Sequence, residues 1–414
     1  MALPPADALA KTGVDVRDAG AADLVAGVRP AYVAAPVSAE ETAAVMRAAA
    51  EHDLSVVARG AGTKLDWGIP PYRCDLLLDL SRMRDVVEHA AGDLVVRVEA
   101  GCPMSDLAAV LAGAGQRLAL DSPVPGATVG GTLATATSGP LRLAYGTARD
   151  LLIGVTMVRA DGVTASSGGR VVKNVAGYDL GKLLTGSYGT LGVIVSATFR
   201  LHPEPPRRAY VRAPVSGGDA AHAANQAVLG AQAVPAAIEY ERRSRGGGAT
   251  VTVLLEGGAD LPHRAEGVAA LLDGAEILGT PPDGFGAYPA DPGTGTLIKL
   301  IAPVADLPYA LAALDAAAEA TGLDPDVRGS SGVGVLYAGL PAGVRPDDAG
   351  AFLAALRGAL ASRDGTAVVL RAEPDVREVV GMWGPVAGLG LMRRIKDRFD
   401  PGHRLAPGRF AGGI

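Results

Sequence analysis

The chain has few cysteines, no excess of basic residues and no long apolar run, and each shortage excludes a class of protein. Cys74 and Cys102 are the two cysteines in 414 residues. Two thiols cannot build a disulfide framework or a zinc site by themselves, and a reducing cytosol suits them best. Lys plus Arg total 38 against 44 Asp plus Glu, a formal charge of −6, with no basic block. That balance argues against nucleic acid as a partner. No run of about 18 apolar residues occurs, so no membrane span is expected; attachment through a partner is left open. The first twenty residues lack the basic start and apolar core of a signal peptide. A cytoplasmic location is expected.

What the chain has in quantity is glycine, 56 residues, together with 29 prolines. Such a composition implies many turns and loops. Hydrophobic residues at 49% and charged residues at 20% describe a globular chain. Its length predicts about two domains.

The glycines concentrate in three loops in the first half. The first is Arg59-Gly60-Ala61-Gly62-Thr63-Lys64, and the second runs from Asp121 to Gly131. The third lies in 172–195, where Gly177, Gly181, Gly186, Gly189 and Gly192 lead into an apolar strand. Interior glycines cost a helix about 0.5–1 kcal/mol each, so this stretch suits close approach of backbone N–H groups to a large ligand.

Around the loops the pattern is mixed. Ser38-Ala39-Glu40-Glu41 is a capping box opening a helix with Val45, Met46 and Ala49 on one face. Strand-like runs follow at 54–58, 76–80, 86–87 and 94–99, and a helix capped by Ser105 ends near 113–115. Asp161-Gly162 between two apolar runs predicts a hairpin, and Asp179 reads as the N-cap of a short helix over 180–184. The proline cluster at 203–206 suggests a domain boundary. Beyond it, strands are expected at 209–211, 237–241, 250–255, 296–301, 332–337 and 367–371. Helices are expected at 219–229, 263–272, 307–321 and 348–361. This order predicts an antiparallel sheet with helices on one face. A last helix covers 389–399.

The first loop follows a strand, as a dinucleotide fingerprint would, but the third glycine of that fingerprint is replaced by Leu65 and no helix follows. A nest of N–H groups around a phosphate needs no such helix.

Three segments carry a family resemblance. Residues 59–64 (RGAGTK), 125–131 (PGATVGG) and 186–192 (GSYGTLG) resemble the FAD-binding fold of the vanillyl-alcohol oxidase, or PCMH, type. Lys173-Asn174-Val175-Ala176-Gly177-Tyr178-Asp179 is narrower and resembles the FAD-binding (E) subunit of bacterial glycolate oxidase and the related D-2-hydroxy-acid dehydrogenases. The tail, Phe399-Asp400-Pro401 through Pro407-Gly408-Arg409, is similar to the C-terminal segment that returns to the FAD domain. The resemblance covers residues 35–201 and 389–410; the middle matches in general architecture.

The resemblance implies an α+β chain. Its PCMH-type FAD-binding domain of two subdomains spans 1–205 and is completed by 375–414, and an α+β cap or substrate domain with an antiparallel sheet spans 206–374. It implies FAD held by Arg59, Gly60, Ala61, Gly62, Thr63 and Lys64, by Pro125, Gly126, Thr128, Gly130 and Gly131, by Asn174 and Gly177, and by Gly186, Ser187, Gly189, Thr190, Leu191, Gly192 and Val193. Thr63 occupies the place where a histidine commonly binds FAD covalently, so noncovalent FAD is expected. The six histidines form no His-x-His cluster, so no metal site is expected. Ala406 stands where the family tail commonly has asparagine.

Oxidation of a 2-hydroxy acid to the 2-oxo acid needs a carboxylate clamp and a base beside the flavin. Arg149, Arg170 and Arg371 are clamp candidates or solvated surface residues. Lys173 and Tyr178 either face the flavin or serve as surface charge and core. Tyr145 and Trp383 are core or pocket, and Cys102 is expected to be a buried, inert thiol. No general base emerges. The chain is thus an enzyme on glycolate or a related 2-hydroxy acid, an oxidase of another alcohol or sugar, or a relay subunit. In the last case its partners are a sister flavoprotein and an iron–sulfur subunit.

Overall fold

The computed structural model describes residues 4–169, 179–289 and 294–414. Two compact units result: Met1–Thr137 with Thr147–Glu204 and Pro385–Ile414, and Ser138–Gly146 with Pro205–Gly384.

In the first unit, the helix Ala39–Glu51 begins where its caps require. Ser38 Oγ accepts from the Glu41 amide at 3.1 Å, and the Glu41 carboxylate accepts from the Val37 amide at 2.8 Å. Val45, Met46 and Ala49 are fully buried on a core shared with Leu76, Leu78, Val193 and Val195. Side chains of this size contribute about 1.5–3 kcal/mol each when fully buried.

Two sheets flank this core. The smaller has the order Asp15–Asp18, Tyr32–Ala35, Leu76–Asp79, Val56–Arg59, with the last three strands parallel. At its edge the chain's tail adds a further bridge. The Val56 amide donates to the Arg404 carbonyl and the Ala406 amide to the Val56 carbonyl, both at 2.8 Å. The larger sheet is antiparallel, in the order Val86–Ala90, Val95–Glu99, Val193–Arg200, Leu152–Val158, Thr164–Gly168. Asp161-Gly162 closes the hairpin between its last two strands, with Gly162 at φ +77°.

The helix Met104–Ala112 differs from expectation at its start. Its N-cap is Pro103, whose carbonyl accepts from the Asp106 and Leu107 amides, so Ser105 lies inside the first turn. The same corner fixes the second glycine loop: the Met104 amide donates to the Ala127 carbonyl, and the Val129 amide to the Cys102 carbonyl, each at 2.9 Å.

The second unit holds an eight-stranded antiparallel sheet. Its order is Glu276–Leu278, Arg207–Val215, Ala249–Gly257, Ala237–Arg242, Asp326–Ser330, Val335–Leu340, Thr296–Ile301, Thr366–Arg371. Register separates its faces, because cross-strand partners share a side. Ala213, Val251, Tyr240, Gly329, Leu336, Leu300 and Ala367 form one row. The next row reads Pro214, Thr250, Glu241, Arg328, Tyr337, Lys299 and Val368, and is polar in its middle. Arg242, on the apolar side, is bidentate to Asp315 of the helix Leu307–Thr321 and ties that helix to the sheet.

The strand expected from Gly332 starts later. Ser331–Val333 is a turn of 3-10 helix, and Gly334, at φ +70°, redirects the chain into Val335–Leu340. Among the described residues, no helix is long and apolar enough to cross a membrane.

Candidate functional site

The three glycine loops meet in the first unit around an open cleft. Its lining includes residues 59–65 of the first loop, Thr128, Gly130 and Gly131 of the second, and Tyr188, Gly189 and Gly192 of the third. Arg409 comes in from the tail.

Glycine is required where these loops touch. A Cβ on Gly60 would collide with Thr128 Oγ1, and one on Gly130 would lie 2.8 Å from the Ala100 Cβ. Gly62 and Gly189 sit at φ +80° and +75°, a region side chains rarely adopt.

The first loop presents its backbone to the cleft. Among the described residues, the amides of Gly60, Ala61, Gly62, Thr63 and Lys64 donate to no protein group. Successive free N–H groups of this kind form an anion-binding concavity.

The charges sort differently. Arg59 Nη1 donates to Asp23 at 3.0 Å and Nη2 to Asp79 at 2.5 Å, so its guanidinium is committed to protein carboxylates. Arg409 Nη2 donates to the Leu65 and Trp67 carbonyls at 2.8 and 2.6 Å, holding the end of the first loop. Lys64 is 7% exposed and, among the described residues, its Nζ has no hydrogen-bond partner. Burial pushes it down to about 8.

The third loop is anchored from behind. The Gly186 amide donates to the Leu133 carbonyl and the Tyr188 amide to the Ala134 carbonyl, at 2.9 and 2.8 Å. Lys396, fully buried on the helix Leu389–Phe399, donates to Thr190 O (2.9 Å), Asp400 Oδ2 (2.7 Å) and Leu405 O (2.8 Å). One ammonium thus joins the third loop to the tail.

Of the residues expected to hold a cofactor, the cleft brings together Arg59 through Lys64, Thr128, Gly130, Gly131, Gly189 and Gly192. Pro125, Gly126, Gly186, Ser187, Thr190, Leu191 and Val193 are not in its lining. Asn174 and Gly177, like the catalytic candidates Lys173 and Tyr178 and the clamp candidate Arg170, lie outside the described residues.

Arg371 lies in the second unit, buried at the end of Thr366–Arg371, and donates to the Thr294 carbonyl at 2.6 Å. Arg149 is exposed, and Tyr145 donates to Glu256 at 2.7 Å. Cys74 and Cys102 are buried, and burial pushes their thiols up to about 12 and about 11. Asp179 caps its helix by accepting from the Lys182 amide.

Three contributors were not among the expected site residues. Tyr188 lines the cleft with its backbone at φ +55° and its ring 5.8 Å from that of Phe410. Its place between Gly186 and Gly189 was the available signal. Arg409 reaches Leu65 and Trp67, and Lys396 reaches Thr190, partners distant in sequence that no local pattern records.

A dinucleotide fits this donor set. The free amides of residues 60–64 and the unpaired Lys64 ammonium suit a pyrophosphate, and the glycines of all three loops leave room for backbone contact.

Comparison with known proteins agrees. Residues 30–167 match a family described as FAD binding domain. The chain is 32% identical over 212 residues to glycolate oxidase subunit GlcD of Bacillus subtilis, covering 51% of this chain and 45% of that protein. It is 35% identical over 163 residues to glycolate oxidase subunit GlcE of Escherichia coli, covering 39% and 46%. The chain thus spans about half the length of the curated relatives it matches. The structure of p-cresol methylhydroxylase with substrate bound superposes with a TM-score of 0.70 at 15% identity, covering 92% of this chain and 88% of that one. Residues 30–167 thus match an FAD binding domain, within a chain whose α+β fold is that of p-cresol methylhydroxylase.

Proposed function

We propose that this protein is an FAD-dependent oxidoreductase of glycolate-oxidase type, oxidising glycolate or a related 2-hydroxy acid to the 2-oxo acid. FAD, when bound, supplies the acceptor for the two electrons of the substrate's carbon–hydroxyl group. The chain's part is to bind and orient. The amides of residues 60–64 and the Lys64 ammonium hold the anionic centre of the dinucleotide, and Gly130, Gly131, Gly189 and Gly192 admit it closely. Thr63 offers the cleft no imidazole, which favours noncovalent FAD.

The convergence of three glycine loops on free amides and an unpaired cation carries this proposal. The proposed substrate class is supported by the relatives described as glycolate oxidase subunits GlcD and GlcE. Lys173, Tyr178 and Arg371 are proposed as the catalytic residues, Arg371 as a carboxylate clamp.

A second reading has its own support. Among the described residues, the cleft lining contains no carboxylate or imidazole to serve as a base. On that reading the chain relays electrons or completes a cytoplasmic assembly with a sister flavoprotein and an iron–sulfur subunit. Anaerobic mixing of the FAD-loaded chain with glycolate or D-lactate decides between them. Bleaching of the flavin band by the chain alone supports the enzyme; bleaching only after partners are added supports the relay subunit.

A further inference from the structure

Arg59, Arg409 and Lys64 are the cationic side chains in the described lining of the cleft, and the first two are engaged. Arg59 faces Asp23 and Asp79, and Arg409 is held by two carbonyls. Lys64 is buried and, among the described residues, donates to no group and is acted on by no acidic side chain. An ammonium removed from water without a partner is costly. A fold that retains one leaves a place for an anion to complete it.

Nζ lies 3.9 Å from the point where a Cβ on Gly131 would stand, so the charge faces the second loop. Among the described residues, the Lys64 amide ends the run of free N–H groups of the first loop. Oxidised FAD carries its negative charge on the pyrophosphate, its flavin ring being neutral. Taking the cleft as an FAD site, we propose that Lys64 couples cofactor binding to proton uptake: the pyrophosphate pairs with the protonated side chain, and the neutral amine leaves that anion unmatched.

The direction of the linkage follows from burial. In the free protein Lys64 is pushed down to about 8 by desolvation, and pairing with an anion raises it in the complex. The binding advantage is therefore complete below about 8 and is lost as pH rises toward the raised value. Other titratable or charged groups around the cleft are Tyr188 from the third loop, Arg409 from the tail, and Arg59 with its partners Asp23 and Asp79. The helix Val129–Ala134 contributes none.

The test uses the full chain stripped of flavin, titrated with FAD from about pH 6.5 to about pH 9.5 by flavin fluorescence. Calorimetry near pH 9 in two buffers of different ionisation enthalpy counts the protons. We expect a Kd that is flat below about pH 8 and rises toward about tenfold per pH unit above it, with uptake approaching about one proton near pH 9. Lys64→Met removes an unpaired buried charge, so the flavin-free variant should melt at a higher temperature than the parent. It should nevertheless bind FAD roughly ten- to a hundredfold more weakly near pH 7, with no pH dependence. A flat parental profile without proton uptake overturns the proposal, and so does parental affinity in Lys64→Met; both leave the FAD site standing. A folded parent that binds no FAD at any pH overturns the FAD site itself.

Discussion

The Lys396 ammonium donates at 2.9 Å to the Thr190 carbonyl, 206 positions earlier in the chain, and has two further acceptors in Asp400 and Leu405. All three of its N–H donors are used, as a protonated lysine requires. Asp400 also accepts from the Leu405 amide at 2.7 Å. The pair is a junction between the tail and the third loop.

Lys396→Met should therefore destabilise the protein by about 3–5 kcal/mol, because Asp400 is left as an uncompensated buried charge. Urea unfolding measures this. Adding Asp400→Leu should recover part of the loss, and flavin retention should drop in the single variant as the Thr190 loop loosens. An unchanged unfolding midpoint would show that the junction carries no weight.

Gly60→Ala places a methyl group on Thr128 Oγ1. The expected cost is about 1–3 kcal/mol from overpacking, with flavin retention reduced. Thr128→Ala removes the colliding hydroxyl, so the double variant should be better than the sum of the singles. Gly92→Ala is the control, since nothing lies within 4 Å of its added atom.

Asp23 gives an acid-side signature. The hydrogen bond from Arg17 holds its carboxyl well below the usual carboxylate range, helped by the Gly20 amide and Arg59, against the opposing effect of burial. The folded value is depressed, so its stabilisation is present above about pH 4 and is lost as pH falls through that range. Asp23→Asn should cost about 2 kcal/mol near neutrality, and the gap between parent and variant should close in acid. A gap that stays constant down to about pH 2 would contradict this linkage.

Acid precipitation of the flavin-loaded protein should leave the flavin in the supernatant, because Thr63 provides no ring nitrogen for a bond to the cofactor. Flavin that stays with the pellet would refute noncovalent attachment.

Local chemistry made part of this structure readable in advance. The Ser38 cap and the apolar face behind it mark Ala39–Glu51, and Asp161-Gly162 marks the hairpin, since both signals lie within a few residues. Asp326–Ser330 was unreadable: its sequence, DVRGS, has one apolar side chain, and it becomes a strand by filling the gap between Ala237–Arg242 and Val335–Leu340. The Asp326–Arg328 pair buried there is satisfied by placement and not by pattern. Likewise Ser138–Gly146 groups with the second unit though it interrupts the first, a fact set by contacts such as Arg142 with the Tyr337 hydroxyl at 3.3 Å. In the site, glycine content exposed the loops. It could not show that Arg59 is already paired and Lys64 is not, because Asp23 and Asp79 reach Arg59 through the fold.

The bridge between Val56 and Leu405, with Arg409 reaching back 344 positions to Leu65, has a kinetic consequence. Closing so long a loop costs entropy before any contact repays it, and high contact order slows folding. Leu65 leaves the ribosome 344 positions before Arg409, so the support of the first loop arrives only with that later segment. Through that interval the nascent chain has an unsupported first loop and an open sheet edge. Flavin capture should be a late event, following tail docking, and a lag before flavin uptake is the expected behaviour in translation extracts.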